Sequence, residues 1–103
     1  MCDIIQAPRL ETSTIYQLLS NQLRRNLLHL LEEHESMTVG EVALNLANQA
    51  VDADQRLIKI SLRHHHLPIL CEHDVIQMEG ERIVLGSTAH ELTPYLALDD
   101  SLS

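Results

Sequence analysis

Phenylalanine and tryptophan are absent from this 103-residue chain, and two tyrosines are its only aromatic residues. The interior must therefore be built from Leu, Ile and Val. Lysine occurs once, at Lys59. The two cysteines, Cys2 and Cys71, are too few for a disulfide framework, and a cytoplasmic location is expected. No run of about 18 apolar residues exists, so no membrane span is expected. Residues 1–10 lack a basic region followed by an apolar stretch, so no secretory signal is expected either. There is no glycine-rich phosphate loop, no Gly-x-Ser-x-Gly elbow and no His-Glu-x-x-His motif. The expectation is a single non-enzymatic domain with no catalytic residues, no metal and no cofactor. At this size a core is near the lower limit of self-sufficiency, and oligomerisation often adds stability.

What the chain has in excess is acid. Fifteen Asp and Glu face seven Lys and Arg, for a formal charge of −8. One segment departs from that balance. From Gln55 to Cys71 there is no acid, but there are Arg56, Lys59 and Arg63. This segment carries +3, which leaves −11 for the rest of the chain. Spacings of three, four and seven place the three cations on one side of a helix.

Helix signals run along most of the chain. Thr12 or Ser13 can cap a first helix with Ile15, Leu18 and Leu19 as its apolar residues, and Ser20 can cap a second. In that second helix Leu23, Leu27, Leu30 and Leu31 form an apolar stripe ending near His34 and Glu35. Thr38-Val39-Gly40-Glu41 reads as a capping box, flanked by Met37 and Val42 as a hydrophobic staple. A polar turn from Asn48 to Asp54 follows, with Asp52 or Asp54 available to cap the basic helix. On that helix Ile58, Leu62 and His65 are expected to face the core, while Leu57 and Ile60 fall off the core face. Pro68 should bend or restart it.

Two short strands are predicted at residues 75–79 and 82–85. They would be joined by a type II′ turn at Gly80-Glu81. A second capping box, Thr88-Ala89-His90-Glu91, would open a last helix with Leu92, Leu96 and Leu98. The fold class expected is mainly α with a small β-hairpin, in the order of a winged helix-turn-helix over residues 12–98. Residues 1–11 would form a flexible N-terminal segment and residues 99–103 a flexible tail.

Three blocks resemble a known family. Leu19-Ser20-Asn21-Gln22-Leu23-Arg24-Arg25, followed by Leu27-Leu28-His29-Leu30-Leu31, resembles the opening of a domain common in haloarchaea. Members of that family look like winged helix-turn-helix regulators of the ArsR class. Thr38-Val39-Gly40-Glu41-Val42-Ala43 is similar to the start of the first helix of their motif. Leu62, His66, Leu67, Pro68 and Leu70 resemble the "L-x-x-x-H-L-P-x-L" run of the recognition helix, with Asp74-Val75-Ile76 leading into the wing. The likeness covers roughly residues 19–85. It departs from the ArsR pattern in a longer turn before the basic helix and in Asp74, where a glycine is expected. The lysine-poor acidic composition likewise resembles proteins of salt-loving archaea. An ordinary acidic cytosolic protein, or one that binds a basic partner, is the alternative.

The function expected from this resemblance is DNA-binding transcription regulation. Arg56, Lys59 and Arg63 would meet phosphates, and Gln55 with Arg56 would reach base edges in the major groove. Arg82 would add a wing contact to phosphate, although Glu79 and Glu81 at the hairpin tip oppose it. The partners expected are double-stranded DNA and a second copy of the chain. The dimer face would draw on Ile15, Leu18, Leu19, Leu92 and Leu96; the other reading of these residues is intramolecular core. A protein-interaction module without DNA binding is the competing class, and it would use Leu57 and Ile60. A metal-responsive repressor is a third reading, from His64, His65, His66 and His73 near Cys71.

Overall fold

A computed structural model of the chain describes residues 10–49 and 54–102. Helices α1 (Thr12–Leu19) and α2 (Gln22–His34) meet at a two-residue corner. Asn21, not Ser20, caps α2: its side-chain oxygen accepts from the amides of Leu23 at 2.8 Å and Arg24 at 3.3 Å. The Ser20 hydroxyl instead donates backwards, to the Gln17 carbonyl at 2.7 Å. Neither Thr12 nor Ser13 caps α1, whose N-cap position is Glu11.

The paired arginines at the start of α2 explain the first sequence block. Arg24 donates from Nε to the Leu18 carbonyl (2.8 Å) and from Nη2 to the Gln17 carbonyl (3.1 Å). Arg25 Nη1 donates to the Leu19 carbonyl. Two cations thus close the carbonyls that the end of α1 leaves open, and they complement its dipole. The cost is a buried guanidinium. Burial lowers the pKa of Arg24, and its Nη1 has no hydrogen-bond partner.

A strand that was not expected follows. β1 (Ser36–Thr38) pairs antiparallel with β3 (Arg82–Leu85), which also pairs with β2 (Ile76–Glu79), giving the order β1-β3-β2. Met37 lies opposite Ile83 and both are buried. Three residues are too short to display an alternation, and Thr38 also serves as the next N-cap, so β1 was hidden behind a helix signal. The Thr38–Glu41 capping box forms as expected. The Thr38 hydroxyl accepts from the Glu41 amide at 3.1 Å, and the Glu41 carboxylate accepts from the Thr38 amide at 2.8 Å. That amide, then the hydroxyl, hold the Glu41 carboxyl below its ordinary pKa. The helix it opens, α3 (Val39–Asn48), buries Val39, Val42, Ala43 and Leu46.

Asp54 caps α4 (Gln55–Ser61) by accepting from the Arg56 amide at 2.8 Å. Asp52, the other candidate cap, lies outside the described residues. After α4 the chain makes a widened π turn over Leu62–His66, with the Leu67 amide bonded to the Leu62 carbonyl, before α5 (Leu67–Glu72). Pro68 falls in the first turn of α5, where a missing amide costs little. The restart at Pro68 was expected; the extra residue in the turn was not. It corrects the assignment of the core histidine. His66 is 4% exposed, whereas His65 lies on the surface.

Asp74 adopts φ +61°, the left-handed region that a wing-leading glycine would supply and that Asp tolerates better than most residues. The tip turn has Gly80 at φ +66°, and Glu81 is not among the residues with positive φ. With Glu79 opposite Arg82, this agrees with the expected two-residue II′ turn. At the base of the hairpin, Gly86 donates to the Val75 carbonyl at 2.7 Å. A Cβ there would overlap the Asp74 carbonyl.

The C-terminal capping box does not form. The Thr88 hydroxyl donates to the His73 carbonyl at 2.8 Å, and the Glu91 carboxylate accepts from the Leu10 amide at 3.0 Å. Both side chains are drawn into long-range bonds, so a 3-10 turn (Ala89–Glu91) precedes α6 (Thr93–Leu102). Of the two segments expected to be flexible, residues 1–9 and 103 lie outside the described residues. Leu10 is buried and α6 runs through Leu102. The class is as expected: mainly helical with a small antiparallel sheet, an arrangement compatible with a winged helix.

Candidate nucleic-acid interface

Helix α4 has no buried residue. It rests on α3 and turns most of its surface outward. Gln55, Arg56, Lys59 and Arg63 are all exposed, which is the minimum that docking on a polyanion requires. Among the described residues, the side chains of Arg56 and Lys59 carry no hydrogen bond or ion pair. Leu57 (64% exposed) and Ile60 (54% exposed) lie on the same helix. The outward surface is therefore part basic and part apolar.

The other two expected DNA contacts are already engaged. Arg63 Nη2 lies 2.5 Å from Glu81 Oε1 at the tip turn. Arg82 donates to the Ser36 hydroxyl at 3.2 Å and to its carbonyl at 3.4 Å. These bonds span 18 and 46 residues of sequence, so no local spacing reveals them. The tip is also tied by its main chain: the Val39 amide, first in α3, donates to the Glu81 carbonyl at 3.1 Å.

The histidines are dispersed. His64 and His65 are exposed, while His66 is buried with Nδ1 unpartnered. Burial, then the charge of Arg24 and then His65, push the pKa of His66 down to about 4. The ring of His65 packs edge-on against it at 4.7 Å. Cys71 is half-buried; burial and then Asp74 raise its thiol pKa, which disfavours the thiolate that a metal or a nucleophilic role requires. Among the described residues no group of three His, Cys, Asp or Glu side chains could hold a metal ion.

Ile15, Leu18, Leu19, Leu92 and Leu96, the residues expected at a dimer face, are all buried within the single chain. They belong to the chain's own core because α1 and α6 fold onto it. The exposed residues of those helices include Tyr16 and Leu98, and Tyr16 meets Tyr95 edge-on at 5.7 Å. A pocket of about 400 Å³ lies between α2, the hairpin base and α6, walled by Leu28, Val75, Leu85 and Leu96 with Glu32 and His90 at its polar edge. None of its lining residues is on α4. No described helix is long and apolar enough to cross a membrane.

The chain is thus a small helical domain with a three-stranded sheet, whose basic helix lies open on its surface. It belongs to the family described as Domain of unknown function (DUF7344), which matches residues 16–85. The matched region runs from within α1 to the end of β3 and leaves out α6. No curated protein and no solved structure matches the chain. The likeness to ArsR-class regulators therefore rests on the three sequence blocks.

Proposed function

We propose that this domain is a winged helix-turn-helix transcription regulator that binds double-stranded DNA through α4, as a cytoplasmic homodimer and not as an enzyme. The observation that carries this reading is the exposed face of α4. Gln55, Arg56 and Lys59 stand in solvent on a helix without acids, next to a capped helix and a hairpin. Arg56 and Lys59 have no protein partner among the described residues, so a phosphate would displace no described side chain from them. Gln55 and Arg56, at the N-terminal end, suit adenine and guanine edges. A second copy would double the docking surface and match a two-fold operator. The chain's net charge of −8 gives no long-range attraction to DNA, so affinity rests on this local patch.

The competing reading is a protein-interaction module of the same shape. Leu57 and Ile60 favour it, because two large apolar side chains in solvent on one short helix suit a partner surface. A metal-responsive repressor draws no support from the placement of His64, His65, His66, His73 and Cys71.

Titration of a fluorescent random-sequence duplex with the purified protein at several KCl concentrations tests the proposal. Binding should weaken with salt and vanish in the variant Arg56→Glu, Lys59→Glu, Arg63→Glu. Folded wild-type protein that binds at no salt concentration would overturn it and point to a protein partner through Leu57 and Ile60.

A further inference from the structure

The contact between the tip turn and the basic helix has the geometry of an internal phosphate mimic. We infer that Glu81 occupies the DNA-facing end of Arg63 and so limits the domain's affinity for duplex, an inference that rests on the DNA-binding reading. Three features place the carboxylate there. The II′ turn fixes Gly80 and Glu81 between β2 and β3, with Glu79 opposite Arg82. The bond from the Val39 amide to the Glu81 carbonyl holds the turn against the start of α3. From that anchored backbone the carboxylate reaches Arg63 Nη2 at 2.5 Å. Both side chains remain largely accessible, at 41% for Arg63 and 66% for Glu81.

An exposed ion pair of this kind contributes little to stability, so the fold does not depend on it. Its effect on a ligand is larger. A guanidinium offers a planar fork suited to a carboxylate or a phosphate, and Glu81 already engages one of its terminal nitrogens. Of the three cations that make the +3 segment, one is thereby neutralised locally, which leaves Arg56 and Lys59. A phosphate that recruits Arg63 must first displace Glu81. The acid at the wing tip, which opposes DNA binding when read from sequence, becomes a built-in brake on one residue.

The test compares wild-type protein with Glu81→Gln and Glu79→Gln on the same random-sequence duplex over a KCl series. Each variant removes one acid from the hairpin, but only Glu81 engages Arg63. Glu81→Gln should bind on the order of 5- to 10-fold more tightly at about 0.1 M salt, with log K falling more steeply against log salt by about 0.9, the signature of one more phosphate contact. Glu79→Gln should change affinity less and leave the slope unaltered. Adding Arg63→Gln to Glu81→Gln should abolish the gain. Equal gains in both single variants would reduce the effect to net charge and overturn the inference. Wild-type binding unchanged by Glu81→Gln would overturn it and leave the DNA reading intact, whereas absence of binding by all the proteins would overturn both. Glu81→Ala, which removes the carboxylate without offering an amide to Arg63, should repeat the gain, and circular dichroism would establish that each variant is folded.

Discussion

The buried imidazole of His66 should make this domain less stable in acid. Its imidazole is buried, with Nδ1 unpartnered and the cationic Arg24 contributing to the field around it. Its pKa is about 4 in the folded chain, against an ordinary value of 6.5. Between those values the unfolded chain binds a proton that the folded chain refuses. Stability is therefore complete above pH 6.5 and is lost as the pH falls through the window toward 4. At about 1.36 kcal/mol per pH unit, the gap amounts to ~3 kcal/mol once the pH is below 4, with ~2 kcal/mol of it gone by pH 5. Small domains have only about 5–15 kcal/mol in total, so the loss is a large fraction. Urea unfolding of wild type and His66→Gln at intervals from pH 7.5 to 4 measures it. Carboxylates titrate in both proteins, and the difference between the two curves isolates the histidine. The difference should shift by ~2 kcal/mol between pH 7.5 and 5, and the ring signals of His66 in an NMR titration should stay those of the neutral form until near pH 4. A His66 ring that titrates near 6.5, or parallel pH profiles for the two proteins, would refute the reasoning.

Three further substitutions probe the scaffold that presents α4. Gly86→Ala should cost ~1–3 kcal/mol in chemical denaturation, because the new Cβ overlaps the Asp74 carbonyl and the hairpin base must shift. Arg24→Met should cost about 1–3 kcal/mol: it removes the two bonds that close the end of α1, although it also relieves a buried charge. A more stable Arg24→Met protein would mean that the relief outweighs the cap. Thr38→Ala should cost ~1 kcal/mol by removing the hydroxyl that caps α3. In the same variant the Glu41 carboxyl should keep a lowered pKa, since its first cause is the Thr38 backbone amide; NMR titration of Glu41 would register a return to the ordinary value as a failure.

Features governed by neighbours within four residues were legible in the chain itself. The apolar stripe of α2, the capping box at Thr38 and Glu41, the turn at Gly80-Glu81 and the basic side of α4 all follow from spacing and from the chemistry of one or two side chains. The exposure of Leu57 and Ile60 followed in the same way, from their angle around the helix. Tertiary structure decided what depended on distant partners. A π turn, which no periodicity announces, moved the core position from His65 to His66. Residues around Thr88 and Glu91 had the spacing of a capping box, yet bonds to His73 and Leu10 claimed both side chains. Ser36–Thr38 became a strand only because β3 lay beside it, and the leucines of α1 and α6 became interior because those helices fold onto the core. The same holds at the candidate interface. Arg56, Lys59 and Arg63 look equivalent in sequence, and only the folded chain distinguishes them, by bringing Glu81 across 18 residues to Arg63. Local spacing sets which side of a helix a residue occupies; what that side meets is a property of contacts made once the whole chain has folded.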